Sequence, residues 1–216
     1  MRLRTLIAAC AAACLTVLFA VPATAGAEPT TTVCRATPIS LLGLTPATAN
    51  PGENPCVTDK QSVAAINHAN RPRRGLLDLS PVLWEFLRVG AIEGDTELGT
   101  DSASATADIA GVELRIPLMG YALNIKGVHS EATAAIRFGC DDVQLNGRSR
   151  VGELIVAGVP HDIGGGPEKI DLGIARILLN ETIEEGDTIT QRAVFIDLPG
   201  TALDIVLGET KAGLSC

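Results

Sequence analysis

Val112-Glu113-Leu114-Arg115-Ile116 puts three aliphatic side chains on one face of an extended chain and two charges on the other. Successive side chains of a strand point to opposite faces, whereas a helical repeat of 3.6 residues would scatter this pattern around its circumference. The same period recurs in both directions from this stretch. Ala134, Ile136 and Phe138 alternate with Ala135 and Arg137, and Ile189, Ala193 and Phe195 oppose Thr190, Arg192 and Val194. Near the end, Leu203, Ile205 and Leu207 oppose Ala202, Asp204 and Val206. Turn signals punctuate these runs at Asn146-Gly147, Gly158-Val159-Pro160, Gly164-Gly165-Gly166-Pro167, Glu185-Gly186-Asp187 and Pro199-Gly200. Asn-Gly and Gly-Asp supply the positive φ of tight hairpins. Many short strands with frequent turns predict an all-β domain, either an antiparallel β-sandwich or a barrel-like closure.

Upstream, residues 28–74 are rich in Pro, Thr and Asn, with Thr45-Pro46, Asn50-Pro51-Gly52 and Asn54-Pro55-Cys56 as turn signals. This segment is expected to be a loop-rich arm with two short strands around Ile39–Leu44 and Ser62–Ile66. The β-rich domain is expected over 75–216. Arg71-Pro72-Arg73-Arg74, the one basic cluster, reads as a solvated loop. Ser80-Pro81-Val82-Leu83-Trp84-Glu85-Phe86 has a helix-capping serine and a first-turn proline, but it also alternates, and we favour strand. A weak repeat is present: Leu87–Thr96 matches Leu123–Ala132 in residue type at six positions, offset by 36 residues. Two equivalent hairpins on one sheet would account for it.

The first 27 residues read as a cleaved secretory signal. Arg2 and Arg4 precede a small-and-apolar run from Leu6 to Val21, and cleavage is expected after Ala25 or Ala27. A lipobox reading of Ile7-Ala8-Ala9-Cys10 is disfavoured, because the apolar run continues past Cys10 and Cys14. Spanning a bilayer takes about 20 apolar residues, more than this run supplies, so no membrane span is expected in the mature chain. Of six cysteines, the mature chain keeps Cys34, Cys56, Cys140 and Cys216. Cysteines in exported proteins are usually paired, and four cysteines allow three connectivities. Cys34–Cys56 is favoured, since both lie in the Pro/Thr-rich segment, which leaves Cys140–Cys216 to tie down the chain end. Zinc is disfavoured, because no Cys-x-x-Cys is present and the three histidines are scattered.

Losing Arg2 and Arg4 with the leader takes 17 basic residues to 15 against 25 acids, a mature net charge of −10. Such a balance does not suit nucleic acid or an anionic membrane surface. Aromatics make up only 3% of the chain, which argues against a sugar-binding module that stacks rings on its ligand. About 190 mature residues suffice for one sizeable core or two small ones.

Several framework stretches of the C-terminal part carry a family resemblance. These are Ala105–Val112, Ile125–Ala134, Ile155–Pro160, Ile170–Gly173, Leu178–Glu181, Ala193–Leu198 and Asp204–Glu209. Over Gly75 to Cys216 the sequence resembles the choice-of-anchor P proteins exported by actinobacteria. The resemblance implies an exported, β-rich surface domain of undetermined biochemical role, with no catalytic residues to carry over. Members often append a surface anchor. This chain ends at Cys216 with no sorting motif, apolar tail or basic finish, so release from the cell is a possible outcome.

Candidate chemistry is sparse. His161-Asp162 before the Gly164–Gly166 turn could orient a base, but a hydrolytic triad needs a serine on a sharp elbow and no Gly-x-Ser-x-Gly is present. Asp141-Asp142 and Glu184-Glu185-Gly186-Asp187 lack the spacing of a calcium loop. Paired carboxylates for sugar hydrolysis lack a surrounding aromatic cleft. The glycine run has no phosphate-loop lysine. Asn180-Glu181-Thr182 fits the glycosylation sequon but is expected to stay bare in a bacterial protein. No catalytic, cofactor or metal residue is therefore assigned. The expected function is a secreted, non-catalytic structural or interaction domain of the envelope or extracellular space, with an unknown protein or cell-wall partner. A secreted binder of a specific protein, such as a protease inhibitor, is the alternative, with the Cys34–Cys56 arm as its loop. A hydrolase is the third reading.

Overall fold

The computed structural model describes residues 29, 31–41, 44–66, 87–116, 121–137, 142–173, 175–198 and 204–215. The expected leader, Arg71–Arg74, Ser80–Phe86, Phe138, Asp141, Pro199-Gly200, Ala202, Leu203, Cys140 and Cys216 lie outside these residues, as does the expected Cys140–Cys216 pairing. Within them the chain is all-β. The strands are β1 (Thr31–Leu41), β2 (Asp59–Val63), β3 (Leu87–Val89), β4 (Ile92–Leu98), β5 (Ser102–Ile116) and β6 (Tyr121–Arg137). They continue as β7 (Asp142–Val156), β8 (Val159–His161), β9 (Glu168–Asp171), β10 (Arg176–Glu185), β11 (Thr188–Asp197) and β12 (Asp204–Ser215). One antiparallel sheet runs β1-β12-β11-β10-β9, and the other runs β2-β4-β5-β6-β7-β8 with β3 also paired to β5. The two pack face to face as a β-sandwich. Among the described residues no helix is long and apolar enough to cross a membrane.

Alternation builds each strand, but every long strand changes phase once. In β6 the inward residues are Leu123 and Ile125, then Val128, Ser130, Ala132 and Ala134. In β5 they are Ala103, Ala105, Ala107 and Ile109, then Val112 and Leu114. One extra residue at each break flips all that follows to the other face, as a β-bulge does. The breaks line up: Gly90-Ala91 lies beside Ala110-Gly111, and the pairings of β6 with β5 and β7 both skip Gly127. In the other sheet Pro38, Gly208, Ala193 and Asn180 are skipped in the same way. Left-handed backbone at Gly127 (φ 62°), Asn180 (φ 55°) and Gly208 (φ 64°) makes the extra residues fit. Both sheets are thus kinked along one line.

The kink corrects part of the expected β11 pattern. Ile189 and Ala193 point inward and Thr190 and Arg192 outward as anticipated, but Val194 is buried and Phe195 only half-buried. Arg192 stacks over the Phe195 ring, its guanidinium carbon 5.6 Å from the centroid. A second correction concerns Asn146-Gly147, which is no turn but the middle of β7. Gly147 faces the opposite sheet, where an added Cβ would lie 2.7 Å from Gln191 Oε1 and 2.9 Å from Ile189 Cδ1. The glycine is there for close approach of the sheets, not for positive φ. Glu185-Gly186-Asp187 and Ala157-Gly158 do turn hairpins, with Gly186 at φ 58° and Gly158 at φ 82°.

The two sides of the kink carry different cores. On one side Ile, Leu and Val dominate, including the fully buried Leu87, Ile125, Leu154, Ile177 and Leu179. Each such side chain contributes about 1.5–3 kcal/mol by leaving water. On the other side the filling is small: Ala36, Ala49, Ala103, Ala105, Ala107, Ala132 and Ala134, with the cystine and Ile189. A chain of hydrogen bonds crosses the sandwich between the two. Ser130 Oγ meets Thr210 Oγ1 at 2.9 Å, and Gln191 donates to Ser149 Oγ at 2.7 Å. Thr182 donates to Gln191 Oε1 at 2.5 Å and Ser149 to Asn180 Oδ1 at 2.9 Å. Buried polar groups need such partners, and here each supplies the next.

The internal repeat is structural. Leu87, Val89, Ile92, Gly94 and Thr96 pair with one side of β5, while Leu123, Ile125, Val128, Ser130 and Ala132 pair with the other. Leu114, Val112, Ile109, Ala107 and Ala105 are the shared partners, in that order. Both copies include the same phase change. The equivalence is of two strands flanking a third rather than of two hairpins.

The Pro/Thr-rich stretch stays loop-rich from 44 to 58. β1 is longer than the expected Ile39–Leu44 strand and starts at Thr31, whereas β2 has the expected five residues but lies earlier, at Asp59–Val63 rather than Ser62–Ile66. β1 pairs with β12 from Thr31↔Ser215 to Leu41↔Ile205. The loop then returns along β1's free edge: Ala36 and Ala49 exchange N–H···O bonds, Cys34 N–H donates to Glu53 O, and Cys56 N–H donates to Thr32 O. Cys34 and Cys56 form the expected disulfide and are both buried. Asn50, at φ 47°, anchors the loop by donating from Nδ2 to Cys34 O (2.8 Å) and Pro55 O (3.2 Å). Its N–H donates to Asp59, and this bond, with one from Gln61, holds the Asp59 carboxyl below the usual range.

Candidate functional site

The kink opens a groove of about 590 Å³ on the outer face of the larger sheet. Ala91, Ala110 and Gly127, at the phase change of the strands, are among the residues that line it. Register places Ser62, Glu93, Asp108, His129 and Arg150 side by side across it, one from each of β2, β4, β5, β6 and β7. All five lie outside the core because they share the outward phase of their strands.

His129 Nδ1 lies 2.8 Å from Asp108 Oδ1, and Nε2 lies 4.0 Å from Glu131 Oε2. Asp108 therefore fixes the imidazole's orientation, as a base needs. The serine of the row does not complete a triad. Ser62 is three strand spacings from His129, about 14 Å, too far for a proton to pass between them. The arrangement can bind polar and charged groups, and Ser62, the one serine of the row, lies too far from His129 to act as its nucleophile.

Beside the groove, Glu93, Asp95, Glu97 and Asp108 surround a smaller hollow of about 200 Å³ with Ser104 and Thr106. Lys60 bridges two of these acids, at 2.5 Å from Glu93 and 3.5 Å from Asp95. Its bond to Glu93 is the main reason the ammonium is held above its usual pKa. Among the described residues no group of three His, Cys, Asp or Glu is placed to hold a metal ion.

The outer face of the smaller sheet is closed by charges. Glu209, 8% exposed, accepts from Arg192 Nε at 2.7 Å and from Arg35. Arg192 also reaches Glu181 at 3.2 Å, and Lys211 reaches Glu53 at 2.9 Å. Glu53 accepts from Arg35 as well, so the loop is tied to the sheet. Burial pushes the Glu209 carboxyl up, but the bonds and charges of Arg192 and Arg35 outweigh it and hold it below the usual range. This network ties the loop to the sheet and packs its outer face.

The residues singled out from sequence fall elsewhere. His161 ends β8 opposite Leu154, and Asp162 follows it on the surface, away from the His129 row. Asp142 lies across from Arg137, and Glu184 and Glu185 end β10 at its hairpin. The glycine run joins β8 to β9, and Asn180 Nδ2 donates to Gly164 O (3.2 Å) and Gly166 O (3.0 Å). Asn180 is itself 5% exposed, so the sequon's amide is committed to the fold. The Ser62–Arg150 row was missed because it depends on the register of five strands. Its one sequence signal was His129, inside the repeat.

No protein-family model, no curated protein and no solved structure matches the chain.

Proposed function

We propose that this chain is an exported, non-catalytic domain that acts as a structural or interaction module in the cell envelope or extracellular space. The observation that carries this reading is the buried Cys34–Cys56 bridge, since disulfides persist where the surroundings are oxidising. The leader sequence and the resemblance to the exported choice-of-anchor P proteins of actinobacteria support the same compartment. The absence of catalysis is supported by the separation of Ser62 from the His129–Asp108 pair, which also weakens the hydrolase reading. An unknown protein or cell-wall component is the proposed partner. Fractionating the producing cells tests this: the protein in washed wall supports the envelope role, and its presence in medium supports a released domain. Recovery from the cytosol with Cys34 and Cys56 reduced would sink the proposal.

A second reading, a secreted binder such as a protease inhibitor, is favoured by one feature. The exposed Pro51-Gly52 tip is stapled by the disulfide and held from beneath by Asn50. A rigid loop loses little entropy on binding. Incubation with serine proteases separates the two, because an inhibitor forms a persistent complex whereas a structural loop is cut or ignored.

A further inference from the structure

The sandwich treats its sheet edges unequally. β1 is covered by the loop from 44 to 56, whose backbone satisfies its outward N–H and C=O groups. β2, β8 and β9 are edges of five, three and four residues. β7 differs. It pairs with β6 from Asp142 to Val156, but β8 covers only Leu154–Val156. From Asp142 to Glu153 its other side has no strand partner among the described residues. Proteins generally shorten, cover or bend long edges, because bare N–H and C=O groups invite another strand.

The side chains along this edge indicate which strand fits. Val143 and Leu145 point inward yet remain half-buried, packed on the small-residue core. Outward stand Asp142, Gln144, Asn146, Arg148 and Arg150, all exposed. Arg148 is already bonded to Glu131 at 2.6 Å. Arg150 is in no ion pair among the described residues.

We propose that this edge pairs with β7 of a second copy, antiparallel about a two-fold axis through Asn146. A two-fold contact brings the same surface from both partners together. In this register Arg150 faces Asp142 of the second copy and Asp142 faces its Arg150, so the same charge pair forms twice. Arg148 falls opposite Gln144, which leaves its bond to Glu131 in place. On the inner face Leu145 meets Gly147 and Val143 meets Ser149, so large residues face small ones. The two larger sheets then form one continuous sheet. Shifting the register by four would set Arg148 against Arg148, and like charges directly opposite are unfavourable. This inference does not depend on where the protein resides.

Sedimentation equilibrium of the purified protein over a micromolar to millimolar range tests it, with Arg150→Asp, Asp142→Arg and the double reversal. The wild type is expected to approach twice its monomer mass. Each single reversal creates two like-charge pairs across the interface and should weaken the dimer about tenfold, and the double reversal should restore it. Asp142→Arg also sets an arginine opposite Arg137 within each copy, an effect on the monomer. Urea unfolding of each variant at low concentration reads monomer stability separately. A wild type that stays monomeric throughout overturns the proposal. So does a dimer indifferent to the single reversals, or one that the double reversal fails to rescue, since either places the interface elsewhere.

Discussion

Gly208 of β12 and Val128 of β6 meet across the sandwich at the kink: a Cβ added to Gly208 would sit 3.2 Å from Val128 Cγ1 and 3.2 Å from Ala193 Cβ. The glycine also holds φ at 64°, where a Cβ meets its own carbonyl. Two penalties therefore fall on one position.

Gly208→Ala should destabilise the fold by about 2–4 kcal/mol, combining backbone strain with overpacking. Gly158→Ala is the control, because Gly158 has φ 82° but nothing within 4 Å of its would-be Cβ. That change should cost only the backbone share, about 1–2 kcal/mol. Urea midpoints compare the two, and equal losses would remove packing from the account.

Acid should loosen the Arg192–Glu209–Arg35 network. The Glu209 carboxyl lies lower in the folded state than in the unfolded chain, so the unfolded state binds more protons and stability rises with pH. The contribution is complete above the ordinary glutamate range, about pH 4.3, and is lost as pH falls through the lower folded value. Glu209→Gln should cost about 1–3 kcal/mol at pH 7, because it leaves two guanidiniums short of a carboxylate. It should also flatten the decline in urea midpoint between pH 6 and pH 3. A variant that loses stability with acid as steeply as the wild type would place the titrating group elsewhere.

Removing the disulfide should act mostly through the unfolded chain. Cys34 and Cys56 are separated by 22 residues, and closing a loop of that size stabilises by about 3 kcal/mol in the chain-entropy model. Cys34→Ala with Cys56→Ala should therefore lower the urea midpoint while leaving the circular dichroism of the native sheets intact. Asn50→Ala, with the bridge kept, should cost about 1–3 kcal/mol, since it deprives the buried Cys34 carbonyl of its amide donor. A larger loss from Asn50→Ala than from removing the bridge would reverse the ranking.

The alternation of Val112 with Glu113 and of Leu114 with Arg115 was enough to make the domain all-β and antiparallel. The Cys34–Cys56 bridge followed from two cysteines sharing one turn-rich segment. What alternation cannot carry is a change of phase. A period of two, continued across Ala193, sends Phe195 inward and Val194 outward, and one extra residue at the kink reverses both. Gly127 and Gly208 hinted at such a break, but Asn180 and Ala193 hold the same line without being glycine. Asn146-Gly147 misled for a related reason: its glycine answers a neighbour in the other sheet, and no local pattern shows that neighbour. The row from Ser62 to Arg150 joins residues up to 88 positions apart, so it exists only once five registers are known.

Thr31 pairs with Ser215, so the two ends of the described sandwich leave side by side from one edge of one sheet. Tension drawn between them would open the β1–β12 ladder pair by pair, as a zipper, rather than shearing all its bonds at once. Cys34 limits that peeling after the first few pairs, because it is bonded to Cys56 in the loop behind it.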